Sequence, residues 1–209
     1  MTGLTFHPGW GFDERVFQPV ADRIKGRLAG PPTRPLICGW SLGAIHALKA
    51  AGAGRLVLVG ATPRFTQAPD WPHAQMADVL ENFAAAVAAD PADALRRFAA
   101  LMNQGDDHAR DLVRHLTGLL REGMPDVATL AAGLDELRDA DLRALVPSIR
   151  QRVLIVHGER DPLMPLAAAE WLAAHLPDAR LEVFAGCAHA PFLSQPDRFA
   201  DLVAAFANE

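Results

Sequence analysis

Gly39-Trp40-Ser41-Leu42-Gly43 constrains this chain more than any other stretch. It follows a short β-branched apolar run, Leu36-Ile37-Cys38, and opens a helix-favouring run from about Leu42 to Ala51. A Gly-x-Ser-x-Gly sequence between a strand and a helix predicts a sharp turn that lifts the serine hydroxyl clear of a sheet. The glycines at either end let neighbouring backbone approach, and the residue at the apex takes strained geometry. As a bare pattern Gly-x-Ser-x-Gly recurs by chance, but set between a strand and a helix it fits an α/β architecture.

The rest of the chain agrees. Short apolar runs at Gly3 to His7, Leu56 to Val59, Val153 to Val156 and Leu181 to Phe184 read as further strands. Helical patterns separate them: Pro19 opens one, with Val20, Ile24 and Leu28 on one face, and others run from about Leu166 to His175 and from about Pro196 to Ala207. Pro31-Pro32-Thr33-Arg34-Pro35 is a turn-rich break. Between about Arg64 and Val146 the strand signal disappears. That segment reads as three or four helices, interrupted at Asp90-Pro91, Gly105, Gly123-Met124-Pro125 and Gly133. The expected organisation is therefore one α/β core in two parts, residues 1–63 and 147–209, with a helical lid at 64–146 between them.

Composition removes several alternatives. With 209 residues, half of them hydrophobic, the chain is long and apolar enough to bury a substantial core, yet no stretch approaches a membrane span. A net charge of −5 gives no general attraction for nucleic acid. The two cysteines, Cys38 and Cys187, have neither CxxC nor zinc spacing, so no metal or cofactor is expected. The N-terminal residues lack the basic and apolar regions of a secretory signal, which makes a reduced, cytoplasmic monomer the expectation.

A serine hydroxyl is a weak nucleophile near neutral pH and needs a base with a group to orient it. Asp161 lies in the loop after the Val153 strand, and His189 in the loop after the Leu181 strand. Both follow strand ends, at the edge where parallel sheets gather their chemistry. Ser41, Asp161 and His189 are thus the expected catalytic triad. Glu159, in the same loop as Asp161, is an alternative acid, and His157 reads as a structural histidine bonded to backbone. The developing oxyanion needs two donors, for which the backbone N–H groups of Leu42 and of Trp10, in the loop Pro8-Gly9-Trp10-Gly11, are candidates. Arg110, Arg114 and Arg121 recur near one helical face, with Arg96 and Arg97 on a neighbouring helix. On spacing alone they form a solvated face, with Asp106 and Asp107 pairing Arg110, and Asp111 pairing Arg114.

Several of these pieces together match one family. Gly9-Trp10-Gly11, the elbow with Trp40 before its serine, Asp70-Trp71-Pro72, Arg97-Phe98, Gly133-Leu134, Asp141-Leu142-Arg143 and His189-Ala190-Pro191-Phe192 resemble the pimeloyl-[acyl-carrier protein] methyl ester esterases, a branch of the α/β-hydrolases. The resemblance spans nearly the whole chain. It implies a serine carboxylesterase with the same triad and oxyanion donors, and an acyl site lined by Trp10, Trp40 and Phe98. It further implies an acyl carrier protein as partner, met by Arg97, Arg110 and Arg114; a fourth family arginine falls on Asp93 here. A broader carboxylesterase or thioesterase, or a non-catalytic binding protein of the same fold, are the competing readings. Relative to the family pattern, the chain starts at the strand before Gly9 and passes from its first helix straight into the elbow strand. About five strands, most of them parallel, are expected, with the first at an edge.

Overall fold

Each strand run of the sequence becomes one rung of a single ladder. The structure, a computed structural model, describes residues 3–32, 34–50, 52 and 54–209. Strands β1 (Leu4–His7), β2 (Leu36–Trp40), β3 (Arg55–Val59), β4 (Val153–Gly158) and β5 (Ala179–Phe184) form one sheet in the order β1-β2-β3-β4-β5, every pair parallel. The expected count and the edge position of β1 both match. The inner strands β3 and β4 are buried along their whole length, and Leu56 to Val59 and Val153 to Val156 are apolar throughout, as in parallel strands covered on both faces.

The connections are helical. They include α1 (Gln18–Arg27), α2 (Leu42–Lys49) and α7 (Leu166–His175), and α8 (Pro191–Ser194) and α9 (Pro196–Asn208) follow the last strand. Helix α1 packs on α9, and on the face read from the sequence Val20 and Ile24 are fully buried and Leu28 partly so. Below the α8 turn, Phe192 stacks on Phe17 at 4.8 Å, and Phe17 on Phe6 at 4.6 Å, joining β1 to the chain's last third. The expected helix end at Ala51, the Thr33 centre of the proline-rich break and the first two residues lie outside the described residues. No helix among the described residues is long and apolar enough to cross a membrane.

Four helices stand between β3 and β4: α3 (Ala77–Ala89), α4 (Pro91–Leu101), α5 (Ala109–Glu122) and α6 (Val127–Asp139). The first three expected breaks separate them, and Asp90 and Asp126 cap α4 and α6 by accepting from the N–H groups of Asp93 and Thr129. Gly133 breaks nothing. It lies inside α6, where a Cβ would stand 2.7 Å from the Trp10 ring, so the glycine marks a close approach rather than a helix end.

The two stems of this insertion are tied together. Leu142 N–H donates to Pro63 O, and Asp141 takes Arg64 at 2.8 Å and Arg143 at 2.7 Å; Arg143 also reaches Asp70 at 2.9 Å. The Arg143 guanidinium, aided by Arg64, holds the Asp141 carboxyl well below the usual carboxylate range against the opposing pull of burial. A carboxyl lowered in the folded state stabilises above its unfolded pKa and loses that contribution as pH falls. Asp141→Asn is therefore expected to cost about 1 kcal/mol near neutral pH, and denaturant titrations should show the gap from wild type closing below about pH 4. A gap independent of pH would contradict the ion-pair account.

Candidate active site

All five strands end on one edge, and the loops leaving them converge there. At the end of β2 the chain turns through Ser41, whose φ of 58° is the only positive value at a non-glycine among the described residues. Such geometry costs on the order of 1–3 kcal/mol and persists only where the surroundings impose it. They do so here: Ser41 N–H donates to Val59 O and Ala44 N–H donates to Ser41 O, both at 2.9 Å. A Cβ on Gly39 would fall on the Gly43 carbonyl, and one on Gly43 would fall on His7 O, so only glycines allow the helix to start this close to β1 and β2.

Asp161 and His189 meet as the sequence suggests. His189 Nδ1–H donates to Asp161 Oδ2 at 2.7 Å, with both side chains fully buried. Asp161 Oδ1 accepts from Leu163 N and Met164 N, each at 2.9 Å. Burial would push this carboxyl up, but His189, then His157 and the Met164 N–H outweigh it, so it stays below the ordinary range and ionised. An ionised Asp161 fixes the proton of His189 on Nδ1 and leaves Nε2 as the basic nitrogen.

That Nε2 is buried and makes no hydrogen bond. The imidazole rests on Gly60, while Ser41 N–H is bonded to Val59, so the end of β3 seats both groups side by side. No direct bond joins Ser41 Oγ to Nε2, a looseness common in unliganded hydrolytic sites. The alternative acid points elsewhere: Glu159 accepts from Gly186 N–H. His157 is structural as expected, its Nε2–H donating to Met164 O at 2.8 Å behind the acid loop.

The loop after β1 lies over the serine, for a Cβ on Gly9 would approach the Ser41 Cβ to 3.2 Å. Trp10 is pinned by its indole N–H to Leu130 O at 2.8 Å and by edge contacts with Phe83 and Phe98. The backbone N–H groups of Trp10 and Leu42 donate to no other group among the described residues, which leaves both free for an oxyanion. Leu42 N–H is also the first of α2, where the helix dipole favours negative charge.

A cavity of about 260 Å³ opens at Ser41, walled by Trp10, Phe65, Phe83, Phe98 and Leu134 among others. No charged side chain among the described residues lines it. Gln75 does, but its amide is engaged with Pro162 O and Leu163 O. Trp40, expected in the acyl wall, is not among the lining residues. Its ring is fully buried, and its indole N–H donates to His189 O at 2.9 Å, so it braces the histidine loop from below. Val79 and Leu101 line the cavity while staying almost half exposed, which places the mouth between α3 and α4.

The arginines are exposed and only partly paired. Arg97 meets Asp93 at 2.5 Å, and Arg114 meets Asp111. Arg110 and Arg121 have no ion-pair partner among the described residues. The pairing of Asp106 and Asp107 with Arg110 does not form: Asp106 is buried under the histidine loop and Asp107 pairs with Arg160. Both cysteines are free and buried. Sequence reading missed Gly60, whose only signal is its place just past a strand end, and Asp106, which carries none.

Gly60 has φ +52°, and a Cβ there would stand 2.9 Å from both Cε1 and Nδ1 of His189. Gly60→Ala is expected to lower kcat for a small activated ester by about 10- to 100-fold. Turnover at the wild-type level would show that the histidine does not depend on this seat.

The alpha/beta hydrolase family model matches residues 3–202. The chain is 44% identical over 185 residues to the pimeloyl-[acyl-carrier protein] methyl ester esterase of Aromatoleum aromaticum, covering 82% of this chain and 73% of that protein. It is 40% identical to the esterase of the same name from Nitrosomonas europaea, over 89% of this chain and 73% of the other. Among solved structures, an esterase from Exiguobacterium antarcticum superposes with a TM-score of 0.87 at 21% identity, over 99% of this chain and 91% of that one. The chain thus belongs to the alpha/beta hydrolase family and, within it, to the pimeloyl-[acyl-carrier protein] methyl ester esterases.

Proposed function

We propose that this chain is a serine carboxylesterase that removes the methyl ester from a pimeloyl chain carried on acyl carrier protein, the reaction named for its relatives, which serves biotin synthesis. The observation that carries this reading is the uncharged, aromatic-walled cavity ending at Ser41. It suits a neutral ester at the end of an aliphatic chain. Beyond the two oxyanion donors it offers no cation to pair with a carboxylate, and desolvating an unpaired carboxylate is unfavourable, so the hydrolysed end is disposed to leave.

Ser41 Oγ attacks the ester carbonyl as its proton passes to His189 Nε2, and Asp161 stabilises the resulting imidazolium. The oxyanion takes the N–H groups of Leu42 and Trp10. Collapse breaks the bond to methoxide, which leaves as methanol with the proton from Nε2. Water then attacks the acyl-Ser41 with His189 again as base, freeing the carboxylate and restoring the serine.

Residues 64–146 serve as the lid over the two core parts, with the chain entering between α3 and α4. Arg97 stands one turn before Leu101 on α4, close to the mouth, and Arg110 and Arg114 lie on α5, which packs against α4. These exposed cations suit an acidic carrier held outside while the acyl chain threads inward. Arg110→Ala with Arg114→Ala is expected to raise KM for carrier-bound pimeloyl methyl ester by about tenfold and to leave the free ester unaffected. Ser41→Ala should lower turnover of both by about 10⁴-fold or more. Equal losses on both substrates in the arginine variant would refute carrier docking there. Near wild-type hydrolysis by Ser41→Ala would refute the nucleophile.

A further inference from the structure

The turn that follows α4, residues 102–108, runs beneath the histidine loop and bonds to it repeatedly. His189 N–H donates to Met102 O at 3.1 Å, and Asp107 N–H donates to Gly186 O at 2.9 Å. Between them Asp106 is buried, and its carboxylate accepts three hydrogen bonds. Oδ2 takes Ala188 N–H at 2.7 Å; Oδ1 takes Ser194 Oγ–H and His108 N–H, both at 2.8 Å. From outside, Arg160 donates to Gly105 O at 2.8 Å and to Asp107 Oδ1 at 2.7 Å, clasping the same turn.

We propose that Asp106 is a positioning residue for His189: reaching across from the inserted helices, it fixes the backbone N–H just before the histidine and the Ser194 hydroxyl beyond it, and so holds Nε2 toward Ser41. The inference rests on the triad reading given above. The bond to Asp161 anchors the imidazole at Nδ1 and Gly60 seats its face, but neither fixes the loop that carries the ring. That loop is fixed separately, and the Ala188 N–H and the Ser194 hydroxyl are the points at which Asp106 does so. A carboxylate suits the task because all three partners donate, and hydrogen bonds to a charged acceptor are the stronger kind. An asparagine would turn its own N–H₂ toward one of those donors, so it can replace only part of the function. The same α4 whose Phe98 and Leu101 line the cavity leads directly into this turn, which joins the acyl wall to the base.

The test compares Asp106→Ala, Asp106→Asn and wild type by kcat and KM on a short soluble ester, by the rate of Ser41 phosphonylation with a small fluorophosphonate, and by thermal unfolding. Asp106→Ala should lower kcat and the phosphonylation rate together by about 10- to 100-fold, with KM within about threefold, and Asp106→Asn should fall between. A lower unfolding temperature with phosphonylation and kcat at wild-type values would overturn the proposal, leaving Asp106 as a brace of the fold. A raised KM at unchanged kcat would overturn it as well. Should Asp106→Ala not fold, Arg160→Ala decides. Its half-exposed side chain can be removed without opening the core, and it should lower kcat by about three- to tenfold at constant KM. Unchanged kcat there would overturn the proposal. Wild-type protein that takes no phosphonyl group on Ser41 would instead refute the triad reading itself, a distinguishable failure.

Discussion

The parallel ladder through β1 to β5 is the constraint on which the rest of the molecule depends. Because every strand runs the same way, the loops carrying Trp10, Ser41, Gly60, Asp161 and His189 all leave from one edge. Their registration follows from backbone hydrogen bonds rather than from any affinity among the side chains. The strained Ser41 turn draws its stability from the same source, through its bond to Val59 on the neighbouring strand. A serine held at φ 58° away from such a frame would relax within its turn.

Two kinds of environment are built on that edge. The polar one is small and buried, with a carboxylate, an imidazole and two backbone N–H groups that have no partner among the described residues. Low dielectric strengthens each of these interactions, and it is the partners His189, His157 and the Met164 N–H that keep Asp161 ionised against the opposing pull of burial. The apolar one is the cavity, where aromatic rings fix one another edge to face and no charge intrudes. Charge stands outside instead, on the exposed arginines of α4 and α5. An uncharged ester inside and an acidic carrier outside are what this separation accommodates.

Much of this is legible in the sequence because it is local. Strand and helix runs, the elbow glycines, and the placing of Asp161 and His189 just past strand ends are all features of short windows. What escaped detection is set by contacts between distant segments. Gly133 looks like a helix break in its own window, yet it exists to admit Trp10 from far up the chain. The resemblance puts Trp40 in the acyl wall, but its indole N–H is drawn under the fold to His189 O. Asp106 sits four residues before Arg110 and invites a surface ion pair, whereas the fold places the histidine loop over it. Helical spacing cannot reveal that, since the partner lies more than eighty residues on.

The most direct measurement is the mass of pimeloyl methyl ester carried on acyl carrier protein after exposure to the wild-type chain. The account predicts a carrier lighter by the mass of one methylene group, with the acyl chain still attached and methanol released in equal amount. Loss of the whole acyl chain from the carrier, or a mass left unchanged by active enzyme, would contradict it.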